Sequence, residues 1–322
     1  MRGRARASER GGSVPIGFLL GIAVGVTGAV VWTLNLQLTA PAIFENNYSW
    51  GPSSSSSSSE STALARRESL GFFQDVPDSV WKLYKERFQF TQPNYNEKSV
   101  KNDAKISNRF WGEHFEPEFT CPFEFRLGKL GDGGKWICDP QRIPDDSCLV
   151  YSVGSNGKFQ FELAVLEHVS KDCEIHIFDM ATNFRRNGKT QSIAEAAKAN
   201  DLTFHNWGIG EKDGRGRPMK TFKETIKEFH HESKIIDVMK IDCERCEYEQ
   251  YKQWFKDWDE LGMTIRQIMI EIHNSDFPGI LEMMTAFQDA GYIMFHKEAN
   301  YWNGGNCIEA AFLLLDKDFQ KL

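Results

Sequence analysis

Three stretches carry side chains that could do chemistry together. Tyr151-Ser152-Val153-Gly154-Ser155-Asn156-Gly157 is a β-rich run that breaks into a glycine turn. Such a turn lets a ligand approach the backbone, and a following helix start offers N–H groups. Asp179 lies about 25 residues after Gly154. An acid there can accept hydrogen bonds from the hydroxyls of a ribose; a helix N-cap is the structural alternative. The third stretch supplies Asp242, Glu244 and, further on, Glu271 and His273. These carboxylates with one imidazole suit proton removal from a polar acceptor. His273 is the candidate base, since an imidazole with a reference pKa of ~6.5 titrates near neutrality. Asp242 and Glu271 complete the candidate catalytic set.

Other motifs fail on spacing. Lys135 follows Gly134 but precedes Trp136, so it is not a phosphate-binding Walker lysine. Cys243-x-x-Cys246 has no second pair to complete a zinc site, and the acids around it oppose a reactive thiol. We expect an incidental or structural pair there and no metal. Asp257-Trp258-Asp259 has the letters of a metal–nucleotide-sugar motif. It closes an amphipathic helix, where tryptophan is core filling and the acids should be solvated.

The elements that must position these residues alternate. Strands are expected at 149–153, 174–178, 202–207, 235–241, 265–272, 292–296 and 308–315. Helices are expected at 79–90, 159–169, 192–199, 222–230, 248–258 and 278–290, the last stopped by Gly291. Such alternation predicts an α/β fold, a mostly parallel sheet with helices on both faces. Ligands then bind beyond the carboxyl ends of the strands, where strand order reverses. Those ends carry Gly154, Asp179, Trp207, Asp242, Glu271 and His273.

YSVGSNGKFQFE, EIHIFD, FHNWGIG, DVMKIDCERCEYE and IMIEIH, in this order, resemble the methyltransferase-like protein 24 family, and more distantly FkbM-type O-methyltransferases. LGKLGDGGKWICDP (127–140) is similar to their lead-in. The resemblance covers roughly residues 121–315. It implies a class I, Rossmann-like methyltransferase sheet of seven strands, the last antiparallel, and S-adenosylmethionine as cofactor. It also implies that Gly154, Ser155 and Asn156 adjoin the methionine part, that Asp179 holds the ribose, that Trp207 or its neighbours lie near the adenine, and that Asp242 touches cofactor or acceptor. One departure stands out. Relatives commonly have glycine where this chain has Arg245, so activity is less secure than fold. If that position needs positive φ, arginine there costs on the order of 1 kcal/mol. Alternatively Arg245 reaches an anionic acceptor.

The 322 residues carry a net charge of −7. An acidic chain argues against a nucleic-acid partner. Residues 14–34 contain no charged side chain, and Arg2, Arg4, Arg6 and Arg10 precede them. That is the length and flank of a transmembrane signal anchor with a cytoplasmic tip at 1–13. A cleaved signal peptide is the alternative. Residues 35–75, with the sequon Asn47-Tyr48-Ser49 and seven serines at 53–59, read as a lumenal stem. Residues 76–148 then form the lead-in and 149–322 the methyltransferase-like domain. The expectation is a single-pass type II membrane glycoprotein of the Golgi or ER that O-methylates a small-molecule or glycan hydroxyl. A lumenal glycosyltransferase and a non-catalytic binding domain are the alternatives. Some of the seven cysteines should pair in an oxidising lumen, and the odd count leaves at least one free or intermolecular thiol. Cys121 with Cys138, flanking a glycine-rich loop, is the first expected bridge.

Overall fold

The structure, a computed structural model, describes residues 71–96, 98, 108–212, 216–273, 277–300 and 307–320. The expected anchor, the sequon and the serine run lie outside them. Among the described residues no helix is long and apolar enough to cross a membrane.

The elements in chain order are α1 (Asp78–Thr91), α2 (Asn108–Glu113), β1 (Glu124–Leu127), β2 (Lys135–Cys138), β3 (Leu149–Val153), α3 (Gln160–His168), β4 (Glu174–Phe178), β5 (Asn183–Arg186), β6 (Lys189–Ser192) and α4 (Ile193–Lys198). They continue with β7 (Thr203–His205), β8 (Gly208–Ile209), β9 (Met219–Lys220), α5 (Phe222–Phe229), β10 (Ile235–Ile241), α6 (Cys246–Leu261), β11 (Thr264–Ile272), α7 (Phe277–Asp289), β12 (Tyr292–Asn300) and β13 (Cys307–Leu314).

Seven strands form one sheet in the order β12-β13-β11-β10-β3-β4-β7. The pairs from β11 through β7 are parallel. β13 is antiparallel to both neighbours. This is the class I, Rossmann-like methyltransferase sheet. The chain builds outward from β3 through β4 to β7, then returns to place β10 on the other side of β3. The reversal opens a crevice between the carboxyl ends of β3 and β10.

Period-2 alternation explains the two-sided core. Leu149, Tyr151 and Val153 of β3 face one layer with α5, α6 and α7. Val150 faces the other, with Phe161 and Val165 of α3, Ile193 and Ala197 of α4, and Trp81 and Phe88 of α1. Local capping sets the helix starts. Ser192 accepts from the Glu195 N–H, and Thr221 with Glu224 forms a reciprocal capping box on α5. α7 stops at Gly291, whose φ is +96°.

Three expectations need correction. The stem boundary at residue 75 falls inside packed structure, because Phe72 and Phe73 are buried in the same cluster as Trp81 and Val150. Asp257 is buried rather than solvated. It accepts from the Lys223 N–H at 3.0 Å and from Gln253 at 2.8 Å, so it satisfies the exposed first turn of α5. Trp258 is core, as expected. The third strand is shorter than expected, and the β5–β6 hairpin between Asp179 and α4 was not anticipated.

Cys121–Cys138 is bonded as expected, joined by Cys148–Cys173 and Cys243–Cys246. Cys307 lies outside these bridges and is buried. Cys121–Cys138 closes a loop with a sequence separation of 17, for which chain-entropy arguments give about 3 kcal/mol. Cys121→Ser should therefore lower unfolding free energy in a urea titration by roughly 2–4 kcal/mol. An unchanged midpoint would show that the bridge does not constrain the unfolded chain.

Candidate active site

The strand ends are tied edge to edge. Gly154 donates its N–H to Phe178 O at 2.8 Å, Asp242 to Val153 O at 2.8 Å, and Asp179 to His205 O at 3.1 Å. Gly154 has φ +81°, and a Cβ on it would lie 1.7 Å from the Asp242 carbonyl oxygen. Only glycine allows the turn after β3 to pass so close to the loop after β10.

A cavity of about 260 Å³ opens here. Gly154, Ser155, Asn156, Asp179, Asp242 and Glu271 all line it, as the sequence suggested. The Asp179 carboxylate binds the turn itself. Its Oδ2 accepts from the N–H groups of Ser155 (2.8 Å) and Asn156 (2.7 Å), and its Oδ1 from Ala181 (2.9 Å). It is not the helix cap considered as an alternative. Ala181 occupies one lone pair of Oδ1, which leaves another for a ligand hydroxyl. The turn amides expected to be free are already donated.

Trp207 does not line the cavity; Phe178, Met180 and Gly208 do. Its ring packs on Phe178, His205 and Phe229, with the Lys220 ammonium 3.7 Å from its centroid. Stacking and a cation–π contact hold its ring outside the cavity lining, to which its neighbour Gly208 contributes. Arg245 does not line the cavity either. It adopts φ +82° ahead of α6, beside Glu244 at φ +55°, so the position does require the left-handed conformation that glycine takes freely.

Behind the cavity lies an ion cluster that the sequence did not reveal. Lys135 on β2 is buried, with Nζ 2.6 Å from Glu309, 3.7 Å from Asp242 and 4.0 Å from Glu271. β2 is docked by Gln267 of β11, which is fully buried. The Gln267 side chain accepts from the Cys138 N–H and donates to the Cys138 carbonyl, both at 2.8 Å. Burial alone would lower the ammonium pKa, but Glu309, Asp242 and Glu271 outweigh it and hold Lys135 at about 12. The lysine is a permanent cation. Lys240 lies on the cavity side, its ammonium donating to the Gly154 carbonyl.

These cations separate the carboxylates into two kinds. Burial would raise Asp242, but Lys135, Lys240 and His273 outweigh it and hold its carboxyl below the usual range. Glu271 goes the other way. Burial first, then the charges of Glu309 and Asp242, push it up to about 8. Asn300 donates to its Oε1 at 2.9 Å. The surroundings thus favour the ionised form of Asp242 and the protonated form of Glu271, and the pair titrates as a unit. Burial pushes Glu309 up as well, with Lys135 pulling against it.

His273 is not poised as a base. Its Nδ1 lies 3.0 Å from Glu247 Oε1, which also accepts its backbone N–H at 2.9 Å. Its Nε2 faces Glu244 at 3.5 Å and Glu271 at 3.8 Å. Burial works against its charged form, but the bond to Glu247 and the charges of Glu247, Glu271 and Glu244 raise it to about 9. Held high in this way, its ring favours the charged form and lies behind Glu271. It does not line the cavity.

The cavity suits a cationic, partly apolar ligand. Asp132, Asp179, Asp242, Glu244 and Glu271 line it against Lys158, Arg217 and Lys240. Phe178 and Met180 supply an apolar wall. A sulfonium nucleoside carrying an amino acid fits that donor set: carboxylates for the positive centres and hydroxyls, and apolar surface for the base.

A protein-family comparison matches residues 63–314 to the family described as Methyltransferase domain. The chain belongs to this family. No curated protein matches it. Among solved structures, it is similar to an rRNA methylase from Streptococcus thermophilus at 13% identity, covering 55% of this chain and 92% of that one, with a TM-score of 0.35. It is also similar to Burkholderia thailandensis 1,6-didemethyltoxoflavin-N1-methyltransferase, solved with S-adenosylhomocysteine, at 12% identity, 53% and 72% coverage, and a TM-score of 0.31. A third is Aeropyrum pernix fibrillarin, solved with S-adenosylmethionine, at 6% identity, 53% and 68% coverage, and a TM-score of 0.35.

Two outcomes follow from the site's electrostatics. Glu271 rises from 4.5 to about 8 and His273 from 6.5 to about 9 on folding. Both bind protons more tightly in the folded state, so stability falls as pH rises through those values. The melting temperature should drop between pH 5 and 9, less steeply in Glu271→Gln; parallel profiles would remove Glu271 as a source. Arg245→Gly, by relieving positive φ, should raise unfolding free energy by up to about 1 kcal/mol in a urea titration. A loss of stability would show that Arg245 makes a compensating contact.

Proposed function

We propose that this methyltransferase-domain chain is an S-adenosylmethionine-dependent O-methyltransferase acting on a hydroxyl acceptor, a small molecule or a glycan. One observation carries the reading: Asp242 lines the cavity at the strand-order reversal, its carboxyl held low by Lys135 and Lys240, next to Glu271, whose carboxyl burial holds high. Bound there, S-adenosylmethionine supplies a methyl group on a sulfonium for in-line displacement. Asp179 and the turn at Gly154–Asn156 hold the nucleoside and methionine ends. Asp242 orients the acceptor hydroxyl and takes its proton as the oxygen gains the methyl group. Protonated Glu271 donates toward Asp242 and fixes its carboxylate. Lys135 and His273 supply positive charge that keeps Asp242 ionised until the proton arrives.

The finer likeness to the methyltransferase-like protein 24 family and FkbM-type O-methyltransferases supports oxygen as the accepting atom. A type II membrane setting in the Golgi or ER is supported by the uncharged run at 14–34, the sequon at Asn47 and three disulfides. The buried, helix-capping Asp257 speaks against the glycosyltransferase alternative.

The test is methyl transfer by the full chain from labelled S-adenosylmethionine to a panel of hydroxyl acceptors. Asp242→Asn should lower turnover by at least about 100-fold. Glu271→Gln should retain most of it at pH 7, since glutamine mimics the protonated carboxyl. Loss in Glu271→Gln with retention in Asp242→Asn would reverse the assignment. Cofactor binding without turnover on any acceptor would favour the non-catalytic binding domain.

A further inference from the structure

The amino ends of the strands carry a second cluster that methyl transfer does not use. His176 Nε2 on β4 lies 2.9 Å from Glu174 Oε1. His231, between α5 and β10, places its Nε2 3.2 Å from the same oxygen. Both histidines are buried, whereas the Glu174 side chain is 46% exposed. Each imidazole is fixed from behind. His176 Nδ1 meets His205 Nε2 at 2.9 Å, and His231 Nδ1 meets the Tyr151 hydroxyl at 2.9 Å. Lys234 donates to the other oxygen of Glu174 at 2.7 Å. Glu174 opens β4 and Asp179 follows its far end, so at ~3.3 Å per residue the two clusters lie roughly 16 Å apart.

We propose that Glu174, His176 and His231 bind a divalent transition-metal ion of the zinc type, through Glu174 Oε1 and the two Nε2 atoms. Imidazole nitrogen and carboxylate oxygen bind zinc at ~2.0–2.2 Å, which puts tetrahedral ligands about 3.3–3.5 Å from one another. The three ligand atoms already lie within 4.8 Å of one another, and the two contacts to Glu174 need to open by only a few tenths of an ångström. Each ligand has the outer partner that metal sites use to fix orientation. Those partners also allow the necessary change of tautomer. Without metal, both Nε2–H groups donate to Glu174. With metal, the Nε2 lone pairs face the ion and the protons sit on Nδ1, where His205 Nε2 and the Tyr151 oxygen accept them. An imidazole and a hydroxyl can each serve in either direction, so both histidine rings keep their outer partners. The exposed side of Glu174 leaves a fourth position for water. The ion would tie the start of β4 to the α5–β10 turn and so stabilise the half of the sheet that carries Asp179.

The test uses the full chain, stripped with a chelator and titrated with zinc chloride by calorimetry and thermal melting. One equivalent should bind saturably and raise the melting temperature. Glu174→Gln, at a half-exposed position, should weaken binding by more than about tenfold, and His176→Asn with His231→Asn should abolish it. Cobalt(II) in the wild-type chain should give weak visible d–d bands without a thiolate charge-transfer band. Absence of saturable binding, equal binding by Glu174→Gln, or a thiolate band would overturn the assignment. A thiolate band would move the ion to Cys307 or to a reduced Cys243–Cys246 pair. The readouts are independent of methyl transfer, so they stand or fall apart from the function proposed above.

Discussion

A lysine ammonium with almost no solvent contact is tolerable only where carboxylates surround it. Lys135 meets that condition at the ends of three strands, facing Asp242 after β10, Glu271 on β11 and Glu309 on β13. Removing the lysine would leave buried anions uncompensated, a several-kcal/mol penalty for groups of this kind. The lysine therefore fixes where those strand ends lie and which carboxyl keeps a proton. It reaches this place on the small β1–β2 hairpin, which Gln267 clamps to β11. A segment that looks like a lead-in is thus the wall behind the active site.

The scaffold was legible because its signals are local. Short β-rich runs ending at Gly154, Asp179 and Asp242 placed three of the site-forming strand ends, and the order of elements implied the parallel sheet. Gly154 was readable as a turn, but its contact with the Asp242 carbonyl was not, since that depends on β3 and β10 lying side by side. Lys135 was hidden for the same reason. Its partners lie more than 100 residues away in the chain, and the test applied to it concerned phosphate binding. A search for buried lysine opposite the acids at strand ends could have found it.

The misread residues share a cause: a partner outside their own element. His273 has the reference chemistry of a base, yet Glu247, 26 residues earlier, converts it to a cation. Trp207 was assigned by its neighbours in the chain, but Phe178, His205 and Phe229 decide where its ring goes. Asp257 was judged solvated from its own helix, while the Lys223 N–H of α5, left over by the local capping box, takes it as acceptor.

The sheet emerges with chemistry at both ends. At the carboxyl ends, opposed charges hold one of two adjacent carboxyls low and the other high. At the amino ends, Cys148–Cys173 joins the starts of β3 and β4 close to the Glu174 cluster. The loop after β10 has its own brace in Cys243–Cys246, next to Asp242. Rigidity is concentrated on the strands whose ends must meet. Calorimetric titration of the full chain with S-adenosylmethionine and S-adenosylhomocysteine tests the account most directly. It predicts saturable one-to-one binding of both, weakened when Asp179 is replaced by alanine; no binding of either to folded protein would contradict it.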